Sequence, residues 1–137
     1  MATTKLGFIV QRPPYKGEDP KLALTRAIAS QSVEVYLEDG DLVTADIAFI
    51  GDGVLNCIKD QKAMDHYDLS STESHIKMSL LLDLNVLVCK EDLEKFGMTE
   101  SDIVIDAEEF GAEVEVKVVP YDEISKMMEE MNHLLFF

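Results

Sequence analysis

The feature that most constrains this chain is the alternation of short apolar runs with longer segments of helical character. Five runs are rich in strand-forming residues, at 5–11, 46–50, 85–89, 114–119 and 133–137. Successive parallel strands need a crossover, which is usually a helix. The alternation therefore predicts an α/β fold with a parallel sheet covered on both faces. In such sheets, ligand and catalytic groups gather beyond the carboxyl ends of the strands.

The segments between the runs carry helix signals. Asp19-Pro20 reads as an N-cap followed by proline at the first helical position, and it predicts a helix to about Glu38, stopped by Gly40. A strand over 33–37 stays open as an alternative. The other segments are predicted as a short helix at 54–60, a loop at 61–71, a helix begun at Ser71 or Thr72, a helix opened at Lys90 and stopped by Gly97, a brief extended piece at 103–105, and an amphipathic helix after Pro120.

Size and charge limit the classes of protein to consider. A length of 137 residues predicts one domain over residues 1–137. Twelve basic residues against 27 acidic ones give a net charge of −15, which repels phosphate backbones and anionic lipid. We therefore expect no nucleic-acid partner and no membrane partner.

The cellular compartment is predicted from what the chain lacks. It has no apolar stretch long enough to span a bilayer, and its first apolar run is short and flows into Arg12-Pro13-Pro14, unlike a signal peptide. A cytoplasmic location is expected. In that compartment Cys57 and Cys89 should be thiols and not a structural disulfide.

Cys89 is the sharpest candidate for chemistry. It closes a buried strand and precedes a helix, where free backbone N–H groups and the helix dipole favour the reactive thiolate. Lys90 adds a positive charge nearby, while Glu91 and Asp92 oppose it. The alternative is a buried, inert cysteine that closes a core strand.

A second thiol and a glycine turn belong to the same predicted edge. Cys57 could act as a resolving thiol for Cys89, or it could be a small core residue. Gly51-Asp52-Gly53 could shape a pocket by close approach to a ligand, or it could simply make a strand-to-helix turn.

The loop at 12–17 is the one basic patch in this acidic chain, and it should lie at the same edge. Its Tyr15 and Lys16 could shape a pocket for an anionic group, or the segment could be an ordinary solvated loop. No phosphate-binding glycine motif, CxxC, HExxH or GxSxG occurs, and the three histidines have no metal-site spacing. We expect no metal and no organic cofactor.

Two segments together resemble a known family. FIGDGVLNCI at 49–58, followed by LNVLVCKEDLEKFGM at 84–98, resembles the DsrE/DsrF-like family (DsrEFH and TusBCD), most closely its DsrF- and TusC-like subunits. The resemblance implies a three-layer fold with five parallel strands and the last strand beside the first. It also implies a homo-oligomer, as a trimer or hexamer, or a hetero-oligomer with DsrE- and DsrH-like subunits.

The same resemblance implies sulfur relay. In this family a cysteine carries sulfur as a persulfide between donor and acceptor proteins, and the cysteine of DsrE- and TusD-like subunits matches Cys89. The leading hypothesis is therefore a sulfur carrier that uses Cys89. The alternatives are a non-catalytic subunit whose task is assembly, and a module that binds a small ligand at the carboxyl edge of the sheet.

Overall fold

The computed structural model describes residues 3–15, 17–32, 42–67, 71–104 and 111–137. Five strands of these residues form one parallel sheet in the order β4-β3-β2-β1-β5. The strands are β1 (Thr3–Val10), β2 (Leu42–Phe49), β3 (Asn85–Cys89), β4 (Lys117–Val119) and β5 (His133–Phe136). The helices are α1 (Asp19–Ser32), α2 (Ala63–Tyr67), α3 (Thr72–Leu81), α4 (Lys90–Lys95) and α5 (Tyr121–Glu130), with 3₁₀ helices at Gly51–Cys57 and Glu100–Asp102.

The register of the sheet aligns the carboxyl ends of its central strands. Val10 of β1 pairs with Phe49 of β2, and Phe49 pairs in turn with Val88 of β3. The residues that follow these strands therefore meet at one edge. The interiors of β1, β2 and β3 are almost fully buried, as continuous apolar runs require in a sheet covered on both faces.

The direction of each crossover decides the layers. From β1 to β2 to β3 the chain moves towards the β4 edge of the sheet. Helices α1 and α3, which lie in these crossovers and contact each other, cover one face. The return from β4 to β5 crosses in the opposite direction. Because parallel crossovers are right-handed, this return places α5 on the other face. The predicted three-layer α/β fold, with the last strand beside the first, is confirmed.

Several boundaries differ from the sequence prediction. The predicted loop at 61–71 contains the short helix α2, and the segment after β2 forms a 3₁₀ helix. Strand β4 is only Lys117–Val119, although the alternation at 114–119 predicted a longer strand. Strands β1 and β2 begin earlier than predicted because Thr3 pairs with Leu42, and backbone hydrogen bonds extend a ladder whatever the side chains are.

Other predictions hold at the level of single residues. Ser71 caps α3, its hydroxyl accepting a hydrogen bond from the Ser74 N–H at 3.1 Å. Ile103 is extended and forms an isolated bridge with Ile58. The helix end near Glu38, the alternative strand at 33–37 and Ile105 lie outside the described residues.

Candidate functional site at the carboxyl edge of the sheet

The strand order brings the candidate groups to one edge. The 3₁₀ helix Gly51–Cys57 follows β2, which lies between β1 and β3. On one side is the loop after β1, and on the other is Cys89 at the end of β3. This edge is the one on which the sequence placed the candidate residues.

Cys89 is the N-cap residue of α4, and its side chain is buried, with 1% of its surface exposed. Desolvation by burial, together with the nearby carboxylates of Asp92 and Glu91, raises the pKa of the Cys89 thiol to about 11. The backbone N–H of Asp92 lowers this pKa, although Sγ does not complete a capping hydrogen bond. The helix N–H thus favours the thiolate as expected, but desolvation and two carboxylates outweigh it, and the net pKa of Cys89 is raised.

The two carboxylates next to Cys89 bind backbone groups on opposite sides. The Gly51 N–H donates a hydrogen bond to Asp92 Oδ2 at 2.7 Å, which links α4 to the turn after β2. The Tyr121 N–H donates to Glu91 Oε2 at 2.8 Å, which links α4 to the start of α5. From the sequence, both carboxylates could be interpreted only as charges that oppose Lys90, because nothing local shows which distant amides they reach.

The glycine turn is shaped by the protein's own backbone. Gly51 has a φ of +55°, in the left-handed region, and Asp52 is exposed. Gly53 is buried against β1, and a Cβ there would lie only 2.0 Å from the carbonyl oxygen of Val10. This contact favours the interpretation of the segment as a close-packed turn.

Asn56 is a buried residue of this edge that the sequence analysis missed. Its Nδ2 donates hydrogen bonds to the carbonyl oxygens of Arg12 and Gly53, both at 2.9 Å. Its own carbonyl oxygen accepts from Gln61 Nε2 and Thr72 Oγ1. Its Oδ1 is buried and has no hydrogen-bond partner among the described residues. Asn56 thus joins the loop after β1 to the turn after β2, and only its place after GDGVL could have drawn attention to it.

Tyr15 faces the same polar cluster. It has a φ of +67°, its hydroxyl donates a hydrogen bond to Gln61 Oε1 and accepts one from the Thr72 N–H at 3.2 Å, and its ring lies 5.7 Å from that of Tyr67. These contacts join the loop to the starts of α2 and α3. Lys16, its predicted companion in the pocket, lies outside the described residues. Nearby, Arg12 forms an exposed ion pair with Asp19 at 3.1 Å.

Cys57 is fully buried in the core. Desolvation raises the pKa of its thiol well above the ordinary value, and its carbonyl oxygen accepts a hydrogen bond from the Val104 N–H at 2.8 Å. Cys57 and Cys89 are both free thiols. The environment of Cys57 favours the alternative of a small core residue over that of a resolving thiol.

The described residues contain neither a cluster of candidate metal ligands nor a membrane-spanning helix. Across the described residues, no three His, Cys, Asp or Glu side chains are grouped so that they could hold a metal ion. Within the same part of the chain, no helix has the length and hydropathy needed to cross a membrane.

Comparison with known proteins adds a family and a set of similar structures. The sequence model of the DsrE/DsrF-like family matches residues 4–137. No protein of curated function matches the chain in sequence.

Solved structures share the whole fold at low sequence identity. The YchN protein from Escherichia coli is 16% identical, with a TM-score of 0.73 over 98% of this chain and 99% of its own. MTH1491 from Methanobacterium thermoautotrophicum, a protein of unknown function, is 13% identical, with a TM-score of 0.60 and the same coverage. BT1422 from Bacteroides thetaiotaomicron, also of unknown function, is 14% identical, with a TM-score of 0.55 over 97% of this chain and 94% of its own. At these identities the likeness establishes the fold.

Proposed function

The chain belongs to the DsrE/DsrF-like family, and on that premise we propose that it is a cytoplasmic sulfur-relay protein in which Cys89 carries sulfur as a persulfide. Family membership points to a role related to sulfur relay. The observation that supports Cys89 as the carrier is its position at the carboxyl end of β3, between the turn after β2 and the start of α5. This is the edge at which parallel α/β sheets place their reactive groups.

The proposed reaction is an exchange between protein thiols and needs no metal or organic cofactor. The Cys89 thiolate attacks the outer sulfur of a donor persulfide, and a new S–S bond forms as the donor's S–S bond breaks. The electron pair of the broken bond stays on the donor sulfur. The donor thiolate then takes up the proton that Cys89 has lost, so no oxidant or reductant is consumed. The same exchange with an acceptor thiolate passes the sulfur on.

An intact-mass measurement tests this proposal. The protein is incubated with a persulfide donor and weighed, and wild type should gain the mass of one sulfur atom. Cys89→Ser should gain none. Cys57→Ala is the matched control and should gain as much as wild type. The proposal fails if wild type gains no sulfur, or if Cys89→Ser gains as much.

A second candidate function is assembly, and the exposed edge strand β5 favours it. Strand β5 is apolar, yet its side chains Leu134 and Phe136 are 38% and 57% exposed. Its outer edge is also unpaired in the described sheet. Exposed apolar edge strands are ready surfaces for pairing with another chain. On this proposal the subunit builds a homo-oligomer (a trimer or hexamer) or a hetero-oligomer with DsrE- and DsrH-like subunits.

Native mass spectrometry separates the two candidates. Phe136→Glu should reduce the oligomer to smaller species, whereas Cys89→Ser should leave it intact. If the protein is a structural subunit only, Cys89→Ser also preserves the activity of the complete sulfur-relay complex. An oligomer that Phe136→Glu does not change would exclude β5 as the interface.

A further inference from the structure

The sequence Cys89-Lys90-Glu91-Asp92 places two consecutive carboxylates just after the candidate thiol. In the structure they diverge, Asp92 towards the turn after β2 and Glu91 towards the start of α5. Strand β3 lies between β2 and β4, so the two hydrogen bonds hold the first turn of α4 from both sides. A carboxylate accepting from an N–H makes a charge-assisted bond, which is about twice as strong as a neutral one.

The first turn of α4 is the part of the chain that directly follows the candidate thiol. Cys89 caps this helix and is 1% exposed, so a donor persulfide cannot reach Sγ in the described arrangement. The turn after β2 offers little freedom, since Gly53 packs directly on the Val10 carbonyl. Helix α4, by contrast, is six residues long, and Leu93 is its buried residue. The movable part of this edge is therefore the first turn of α4.

We propose that Glu91 and Asp92 are paired carboxylate latches, which hold the first turn of α4 over Cys89 and keep its thiol covered until the latches open. This inference rests on the proposed function, because it explains how a sulfur-carrying thiol stays unreactive between transfers. Asp92 is the main latch, since its carboxylate binds the Gly51 N–H of the neighbouring turn at 2.7 Å and acts more strongly than Glu91 on the pKa of Cys89. Both are positioning residues that act through Cys89 and do not themselves touch the sulfur donor.

The charges around Cys89 agree with this arrangement. On its own helix, Asp92 and Glu91 raise its pKa. The neighbouring turn carries Asp52, and the start of α5 carries Asp122 and Glu123. Among the described residues, the positive charges at this edge are Lys90, which is exposed, and Arg12, which is paired with Asp19. Opening the latches moves carboxylates away from the sulfur, which exposes it and favours the thiolate in one step.

The rate of alkylation of Cys89, followed by peptide mass spectrometry from pH 7 to 10, tests the latches without any sulfur donor. Asp92→Asn keeps the shape and an acceptor for the Gly51 N–H but removes the charge. The pKa of Cys89 should fall by about one unit. At pH 8 this gives about ten times more Cys89 thiolate. Because a thiolate of lower pKa is also a weaker nucleophile, alkylation should be only about threefold faster. Asp92→Ala also removes the acceptor, so it should be faster still, and Glu91→Gln should show a smaller increase.

Two controls make the experiment decisive. Glu94→Gln removes one negative charge from the exposed side of the same helix and should alkylate at the wild-type rate. Cys57 is fully buried in the core, so its alkylation in the same samples reports unfolding. The latch is overturned if the Asp92 variants alkylate at the wild-type rate, if Glu94→Gln matches them, or if Cys57 accelerates as much as Cys89.

The outcome is separable from that of the sulfur-relay proposal. If the Asp92 variants react faster with alkylating agent and also load sulfur faster from a donor persulfide, the latch controls sulfur uptake. If wild type takes up no sulfur, the proposed function fails and the latch loses its role with it, although the alkylation difference remains. If wild type takes up sulfur and the Asp92 variants match it in both assays, only the latch fails.

Discussion

Replacing Gly53 with alanine tests the closest backbone contact at the functional edge. The new Cβ would lie 2.0 Å from the carbonyl oxygen and 2.7 Å from the carbonyl carbon of Val10. Because such contacts essentially never fall below 3.0 Å, the turn and β1 must separate by about 1 Å. The same Val10 oxygen accepts the Ile50 N–H at 3.0 Å, so the separation also strains the hydrogen bond that joins β1 to the turn. Overpacking and a lost hydrogen bond together should lower the free energy of unfolding by about 3 kcal/mol.

Urea unfolding at a fixed protein concentration measures this loss. With a slope of about 2 kcal/mol per molar urea, the midpoint should fall by about 1.5 M. Gly51→Ala is the matched control, two residues away in the same turn. Its φ is +55° but its nearest neighbour, the Gln11 carbonyl oxygen, is 4.0 Å from the new Cβ. Only the left-handed backbone penalty applies there, so the loss should be about 1 kcal/mol.

The ranking of these two variants in stability decides whether Gly53 is required for close packing or for backbone freedom. If Gly53→Ala costs no more than Gly51→Ala, then conformational freedom, and not close packing on β1, is what the turn requires. The description of Gly53 as a packing contact would then be wrong.

Three further predictions concern groups of the same edge. Tyr15→Phe removes the hydroxyl that binds Gln61 and the Thr72 N–H, so it should lower the free energy of unfolding in urea by about 1 kcal/mol. No loss would mean that water replaces the hydroxyl. Cys57→Ser buries a hydroxyl in the core and should destabilise by about 2 kcal/mol, more than Cys57→Ala if the site is apolar. The pKa of Cys89 is raised from 9.0 to about 11, so the folded state keeps this proton to a higher pH than the unfolded state does. The resulting stability, about 3 kcal/mol, is present below pH 9 and lost as the pH rises to 11, and Cys89→Ala should flatten that loss in urea titrations at a series of pH values.

The environment of Cys89 bears on both proposed functions. A buried thiol with a raised pKa is slow to react, which suits a subunit whose task is assembly. The same thiol lies under a short helix held by two side-chain hydrogen bonds, which suits a carrier that is exposed only during transfer. The persulfide and alkylation measurements distinguish these roles because one reports sulfur uptake and the other reports access.

Much of the fold could be predicted from local patterns. The apolar runs at 46–50 and 85–89 identified buried strands, Pro120 marked the start of α5, and Ser71 marked the start of α3. These signals work because a buried strand and a capped helix impose their requirements on neighbouring residues. The α/β class followed from the alternation of the runs, and the place of the last strand beside the first followed from the family resemblance.

The errors came where short segments are shaped by distant contacts. Helix α2 lies in a polar stretch without strong helix signals. It follows Gln61, which is held by hydrogen bonds to Tyr15 and Glu73, both distant in sequence. Strand β4 is short because its pairing with β3 is limited to a few residues, Val118 and Val119 among them. The apolar residues before them pack against the core without forming strand pairs. Alternation alone cannot tell a paired strand from an extended segment.

At the candidate site, the sequence alone determined which thiol closes a central strand, which turn lies beside it and that two carboxylates follow it. Only the tertiary structure decided what these groups do to one another: Asp92 reaches Gly51, Glu91 reaches Tyr121, and Cys89 lies buried with its pKa raised. The physical reason is that strand position depends on local patterns of burial. Thiol reactivity depends instead on desolvation and on charges that the fold brings close to the sulfur. The distances from the sulfur to these charges have no signature in the residues that neighbour the cysteine in sequence.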